Sequence, residues 1–301
     1  MQQVSWQGIH SVLVTPFRPD GDIDLERFGR LLDLNIENGA DGVIVCGSTG
    51  EFYTMDVAER ERLIRAAVKQ ADGRVPVIAG VADLRVETVI ELCQIASEAG
   101  CDGALALPPI YAMPDEREVD AFYRRVSEAS PLPLMLYNSP RRTGVNLMPN
   151  QVERLAELPT VVAVKDSSAD IVQVTELCRR LANRIRIFVG YETMIRSGLA
   201  VGCHGVVAMA HQLSGRLVRR YFDACRAGDG TTADALEPAL FAIYRCFRIG
   251  SYYAGIKAVM NELGEAVGDP RPPLLPISAE QHERVRSILA DGRVAEIIRS
   301  F

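Results

Sequence analysis

The chain has 301 residues, 48% of them apolar and 24% charged, with a formal net charge of −6. That composition suits a globular domain able to bury its own core, and interspersed charge without a basic stripe argues against nucleic acid or an anionic membrane surface as partner. No apolar run reaches the ~18–20 residues of a bilayer span, the start MQQVSWQGIH lacks the pattern of a secretory leader, and seven cysteines without a CxxC spacing read as free thiols, so a cytoplasmic location is expected.

Eight short apolar runs follow one another: SVLVTPF from Ser11, GVIVCG from Gly42, VPVIAGV from Val75, GALALPP from Gly103, LPLMLYN from Leu132, VVAVKD from Val161, IRIFVG from Ile185 and GVVAMA from Gly205. They are continuous rather than alternating, as parallel strands buried on both faces should be. Helical patterns separate them. Asp24 stands before Phe28, Leu31, Leu32 and Ile36; Asp56 and Glu59 form a capping box before Leu63, Ile64, Ala67 and Val68; Val86, Val89, Ile90 and Cys93 make a third stripe. A turn recurs in GADGVIV (from Gly39), GCDGALAL (from Gly100) and GCHGVVAM (from Gly202). One glycine closes a helix in the left-handed conformation and a second opens a strand. After residue 228 strands cease, and helices are expected over 231–248, 251–264 and 279–301, with GDPRPPLLP (268–276) as a rigid connector. The expected architecture is a (β/α)₈ TIM barrel over residues 1–228 and a C-terminal helical region over 229–301. The competing arrangement, an open doubly wound sheet, is disfavoured by the regular eight units and by the lack of a GxGxxG turn.

Three of the 33 basic residues are lysines, namely Lys69, Lys165 and Lys257, leaving 30 arginines. A lysine kept in such a chain marks a place where arginine, which cannot lose its proton, will not serve. Reactive groups of a barrel sit where strands end. Lys165 ends VVAVKDSS, at the rim of an apolar interior that favours a nucleophilic amine; the bland alternative is an ion pair with Glu51 or Asp166. Tyr137 ends LMLYN and is either a proton shuttle or a core tyrosine. Arg142, in the loop after it, can hold a carboxylate or bridge to a surface acid, and Arg141 reads as a surface residue. The turn CGSTGE places Ser48 and Thr49 between glycines, where successive N–H groups can meet an anion, although such turns are common. Tyr111 follows the fourth strand, and Gly190, Tyr191 and Glu192 follow the seventh. Lys257, in a late helix, reads as solvated or helix-capping. No HExxH, Cys/His cluster or cofactor fingerprint appears, so neither metal nor cofactor is expected. An amine, phenols, hydroxyls, a glycine turn and a guanidinium suit carbonyl chemistry through an imine.

These motifs, from VTPF (14–17) through GSTGE (47–51), YNSPRRTG (137–144), KDSS (165–168) and the GCHGVV turn to RPPL (271–274), resemble the dihydrodipicolinate synthase and N-acetylneuraminate lyase family of class I pyruvate-dependent aldolases over nearly the whole chain. The resemblance implies a Schiff base on Lys165, proton transfer by Tyr137, Ser48 and Thr49, and entry of Tyr111 into a neighbouring subunit's site, hence a homodimer or homotetramer. It places Thr49, Gly50, Arg142, Gly190 and Val207 around substrate, with Arg142 on the carboxylate of an aldehyde partner. Ile110, where many synthases carry a second tyrosine, and Ala208, where serine is frequent, depart from the pattern. Phe52, Tyr53 and Leu84 depart from the lysine-inhibited synthases, and the GYE segment leans towards sugar-acid lyases. The resemblance favours pyruvate with aspartate semialdehyde. The alternatives are an aldolase or dehydratase for a 2-keto-3-deoxy sugar acid, N-acetylneuraminate or 4-hydroxy-2-oxoglutarate, and, more remotely, a non-catalytic barrel that binds a 2-oxo acid.

Overall fold

The computed structural model describes residues 4–299. Eight parallel strands close into a barrel in chain order: β1 (Gly8–Val12), β2 (Gly42–Val45), β3 (Val77–Gly80), β4 (Gly103–Ala106), β5 (Leu134–Asn138), β6 (Val161–Asp166), β7 (Arg186–Val189) and β8 (Gly205–Ala208). The helices between and after them are α1 (Leu25–Glu37), α2 (Val57–Ala71), α3 (Val86–Ala99), α4 (Glu116–Ala129), α5 (Pro140–Thr143), α6 (Pro149–Leu155), α7 (Ile171–Leu181), α8 (Ile195–Ala200) and α9 (Gly215–Ala227), then α10 (Gly230–Cys246), α11 (Tyr252–Glu262), α12 (Ala279–Leu289) and α13 (Gly292–Arg299).

Strand periodicity divides the apolar residues into two cores. Val12, Ile44, Ile78, Leu105, Met135, Phe188 and Val207 fill the barrel with Tyr137, while Val43, Val45, Ala79, Leu136, Val164 and Val206 face the helices. The sequence placed the first strand from Ser11, three residues late. Gly8 and His10 resemble a loop, but His10 is fully buried, its ring 4.9 Å from Phe188 and 6.3 Å from Trp6. Leu13 still donates its N–H to the Ile44 carbonyl (3.0 Å), and beyond it the chain leaves the ladder, Val14 donating its N–H to Gln212 instead (2.9 Å).

The repeated turn forms as read: Gly39, Gly100 and Gly202 have φ of +89°, +92° and +101°, a region that costs glycine little. The residue before each strand-opening glycine has a further job. Asp41, Asp102 and His204 accept the N–H groups of Ile9, Val77 and Ile187 (2.8, 2.8 and 3.0 Å), satisfying the bottom of the neighbouring strand. Asp24 and Asp56 cap α1 and α2, the latter in the expected box with Glu59.

The late helices keep close to their expected limits, except that 279–301 breaks. Asp291 starts a new helix by accepting the Val294 N–H (3.4 Å), and residues 300–301 lie outside the described residues. Lys257 is not solvated. It is 1% exposed and ion-paired with fully buried Glu51 at 2.6 Å, its Nζ donates to the Asp269 carbonyl (3.1 Å), and it lies over the Phe17 ring. Burial pushes the Glu51 carboxyl up and the Lys257 ammonium down, each partly offset by the other. Arg271 joins the same cluster through Glu59 and an N–H to Glu51 (3.0 Å). The segment after the barrel is thereby tied to the turn after β2.

Candidate active site

At the C-terminal rim of the barrel, Tyr137 and Lys165 stand opposite each other on β5 and β6. A register shift between Leu134 and Met135 arranges this by setting Met135 opposite Ala163 rather than Val162. A slip of one residue exchanges the faces of all later side chains, so the shift decides that both side chains look into the mouth. Lys165 Nζ lies 4.0 Å from the centre of the Tyr137 ring, and both residues are buried.

The carboxylates that could have claimed Lys165 are engaged elsewhere. Glu51 holds Lys257. Asp166 accepts from Asn138 (2.8 Å), Gln173 (2.9 Å) and Ser168. Lys165 has no ion pair among the described residues. Burial alone would raise the Tyr137 phenol, but the Lys165 ammonium, the Arg142 guanidinium and polar contacts with Ser139 and Lys165 outweigh it, and the phenol sits at about 8. It is therefore no ordinary core tyrosine; it can give and take a proton near neutral pH.

The turn after β2 is built from two residues in the left-handed region, Cys46 (φ +53°) and Glu51 (φ +57°). Gly50 and Glu51 spend their N–H groups on the carbonyls of Gly47 and Ser48 (3.0 and 3.2 Å), while those of Ser48 and Thr49 meet no backbone acceptor among the described residues. Both hydroxyl residues line the cavity beside Lys165, so the turn offers donors for an anion. Gly50 itself does not line it, its carbonyl being taken by Thr15 (2.7 Å). Val207 lies within the packed barrel, below the cavity.

Gly190 lines the cavity, and a side chain there would meet Ser167 Oγ at 1.9 Å, so glycine makes room for a serine whose hydroxyl has no partner among the described residues. Tyr191 also lines it. Glu192 turns aside and accepts the N–H groups of Met209 and Ala210, bracing the end of β8. Tyr111 is 92% exposed on its loop, at φ +71°, and does not reach the cavity of its own chain.

Arg142 occupies the four-residue α5, its guanidinium 4.6 Å from the Tyr253 ring and 5.3 Å from that of Tyr252. Stacking on two rings fixes a side chain that remains exposed to solvent. Sequence reasoning missed these tyrosines, although both line the cavity and Tyr253 has a polar contact with Ser48. They come from the first turn of α11, far along the chain, and their one local signal is a pair of aromatics after a Gly–Ser turn. Gly47, Ser167, Val12, Leu105 and Met209 complete the lining. Among the described residues no group of His, Cys, Asp and Glu converges so as to hold a metal ion.

Residues 5–291 match the model of the dihydrodipicolinate synthetase family. The 4-hydroxy-tetrahydrodipicolinate synthase of Desulforamulus reducens is 36% identical over 290 residues, 96% of this chain and 98% of that protein. That of Synechococcus elongatus is 35% identical over 282 residues, 93% and 94% of the two chains. Among solved structures, a dihydrodipicolinate synthase of Bacillus anthracis superposes with a TM-score of 0.93 at 30% identity, covering 96% of this chain and 99% of that one. The chloride-inhibited Acinetobacter baumannii synthase complexed with pyruvate does so with a TM-score of 0.90 at 28% identity, over 95% and 98%. Likeness of this extent in sequence and in backbone has one reading: the chain belongs to the dihydrodipicolinate synthetase family, lyases of the class I aldolase type.

Proposed function

We propose that Lys165 forms an imine with pyruvate and that the resulting enamine bonds to a carboxylated aldehyde. The amine adds to the keto carbon, Tyr137 passes the proton that lets water leave, and the pyruvate methyl carbon, after losing a proton, forms the bond to the aldehyde carbon. Hydrolysis then returns the free amine. The N–H groups of Ser48 and Thr49 receive the pyruvate carboxylate, and Arg142 receives that of the partner. The observation that carries this reading is a buried lysine without a carboxylate partner among the described residues, beside a phenol held at about 8.

Aspartate semialdehyde is the first partner to test, supported by the names of the relatives. Cleavage or dehydration of a longer 2-oxo acid is the second reading, favoured by the aromatic wall of Tyr191, Tyr252 and Tyr253 beside Arg142. Tyr111, with Met113 67% exposed beside it, reaches a second copy in this proposal, making the working enzyme a homodimer or homotetramer. A cytoplasmic location goes with the reading, supported by cysteines that are all free.

Assay of the purified protein with aspartate semialdehyde plus pyruvate, a 2-keto-3-deoxy sugar acid, N-acetylneuraminate and 4-hydroxy-2-oxoglutarate tests it. Turnover insensitive to EDTA is expected with at least one; pyruvate binding without turnover of any would leave a non-catalytic barrel. Arg142→Ala should lose about ten- to a hundredfold in kcat/KM for the carboxylated partner, the worth of one charge-assisted hydrogen bond.

A further inference from the structure

Outside the Lys165 cavity, and joined to it through Arg142, Tyr191 and Tyr252, lies a second cavity of about 280 Å³. That is near the lower end of small-molecule sites, ~300–1,000 Å³. Its remaining walls are Arg141, Tyr244, Arg248 and Gly250. Three guanidinium groups line it and no carboxylate does. None of the three has an ion-pair partner among the described residues. Arg248 comes from the turn just after α10 and Arg141 from α5, so barrel and C-terminal segment both contribute positive charge to one space. The Tyr252 hydroxyl, at the junction of the two cavities, is shielded from solvent and has no hydrogen-bond partner among the described residues. Unpaired guanidiniums and an unused phenolic donor around a concave space are the chemistry of an oxyanion subsite.

We propose that this outer cavity binds a second oxyanion, carboxylate or phosphate, at the far end of the partner that reacts with the pyruvate imine, with Arg248 as its specificity-determining residue. The inference rests on the imine reading and narrows it to the second partner class named there, because aspartate semialdehyde carries one carboxylate and an ammonium and would leave the outer cavity unused. A partner with one carboxylate satisfies Arg142 alone. A partner with two oxyanions engages Arg142 and the outer pair. An ammonium group finds no acidic side chain in the outer cavity's wall.

Calorimetric titration of the enzyme in saturating pyruvate tests this with acetate, succinate and 2-phosphoglycolate as probes. Succinate or phosphoglycolate should bind at least about tenfold more tightly than acetate, and Arg248→Gln should bring the better of them to within about twofold of acetate. Which of the two binds more tightly tells carboxylate from phosphate. Equal affinity for all three, or a preference that survives in Arg248→Gln, overturns the subsite. Borohydride trapping of pyruvate on the unaltered enzyme is read on the same sample. If trapping fails while succinate still outbinds acetate, the imine reading fails and the subsite stands.

Discussion

In the proposed reaction, reactivity turns on the Tyr137 phenol, which faces Lys165 at the mouth of the barrel. With the Lys165 ammonium and the Arg142 guanidinium beside it, the Tyr137 phenol sits at about 8. Below that pH the phenol keeps its proton and cannot act as a base. Above it, in the proposed reaction, the phenolate can take the proton that the nitrogen sheds as it adds to the keto carbon. The rate of imine formation with pyruvate, followed by stopped flow, should therefore rise through about pH 8 and level off. Tyr137→Phe should displace the limb from 8 and lower the plateau; an unchanged limb near 8 in that variant would remove Tyr137 from the proton path. That Lys165, Tyr137, Ser48 and Thr49 meet at one mouth was legible in the sequence because each ends a strand or follows it by a few residues. Tyr252 and Tyr253 were not, since what brings them to Arg142 is the packing of α11 over the mouth. Nor was the place of Arg141 on the wall of the outer cavity, since it reads locally as one more surface arginine.

Between elements, the contact that matters most for the site is Glu51 with Lys257. Both are buried, so breaking the pair strands a charge in the interior, at a cost of about 3–5 kcal/mol. Lys257→Met should lower the unfolding free energy by that order in urea titration. Adding Glu51→Gln should recover much of the loss, because the stranded charge is gone; additive losses in the double variant would show that the two are not coupled. The capping boxes and the repeated αβ turn were readable because their chemistry lies within a few neighbouring residues. The partner of Lys257 was not, since 206 positions separate it from Glu51 and a solvated helix face has much the same pattern. The register shift that faces Tyr137 with Lys165 has no local signature either; Leu134 and Met135 are two ordinary apolar residues of one strand.

At the scale of the molecule, closure of the barrel buries His10 and His211, and burial lowers both imidazoles from 6.5 to about 4. Unfolded, each binds a proton near 6.5; folded, neither does until about 4. Their contribution to stability is thus fully present above 6.5 and is lost as pH falls towards 4, by up to about 3 kcal/mol for each. Denaturation measured across that window should show stability falling with pH, and His10→Leu should remove about half of the slope; a flat profile would mean that both rings are hydrated. The eight βα units announced the barrel in sequence because each repeats one pattern. We propose that the division at 228/229 is one of architecture only, supported by the ties of α11 to the mouth through Lys257, Tyr252 and Tyr253. A chain ending at residue 228 should then fail to melt cooperatively; a cooperative melt with pyruvate binding retained would make the barrel autonomous.

The central claim is the covalent role of Lys165, and borohydride reduction in the presence of pyruvate followed by peptide mass mapping tests it most directly. The account predicts a single reduced pyruvate adduct on the peptide carrying Lys165, and none in Lys165→Arg. No adduct, or one on Lys69 or Lys257, would contradict it.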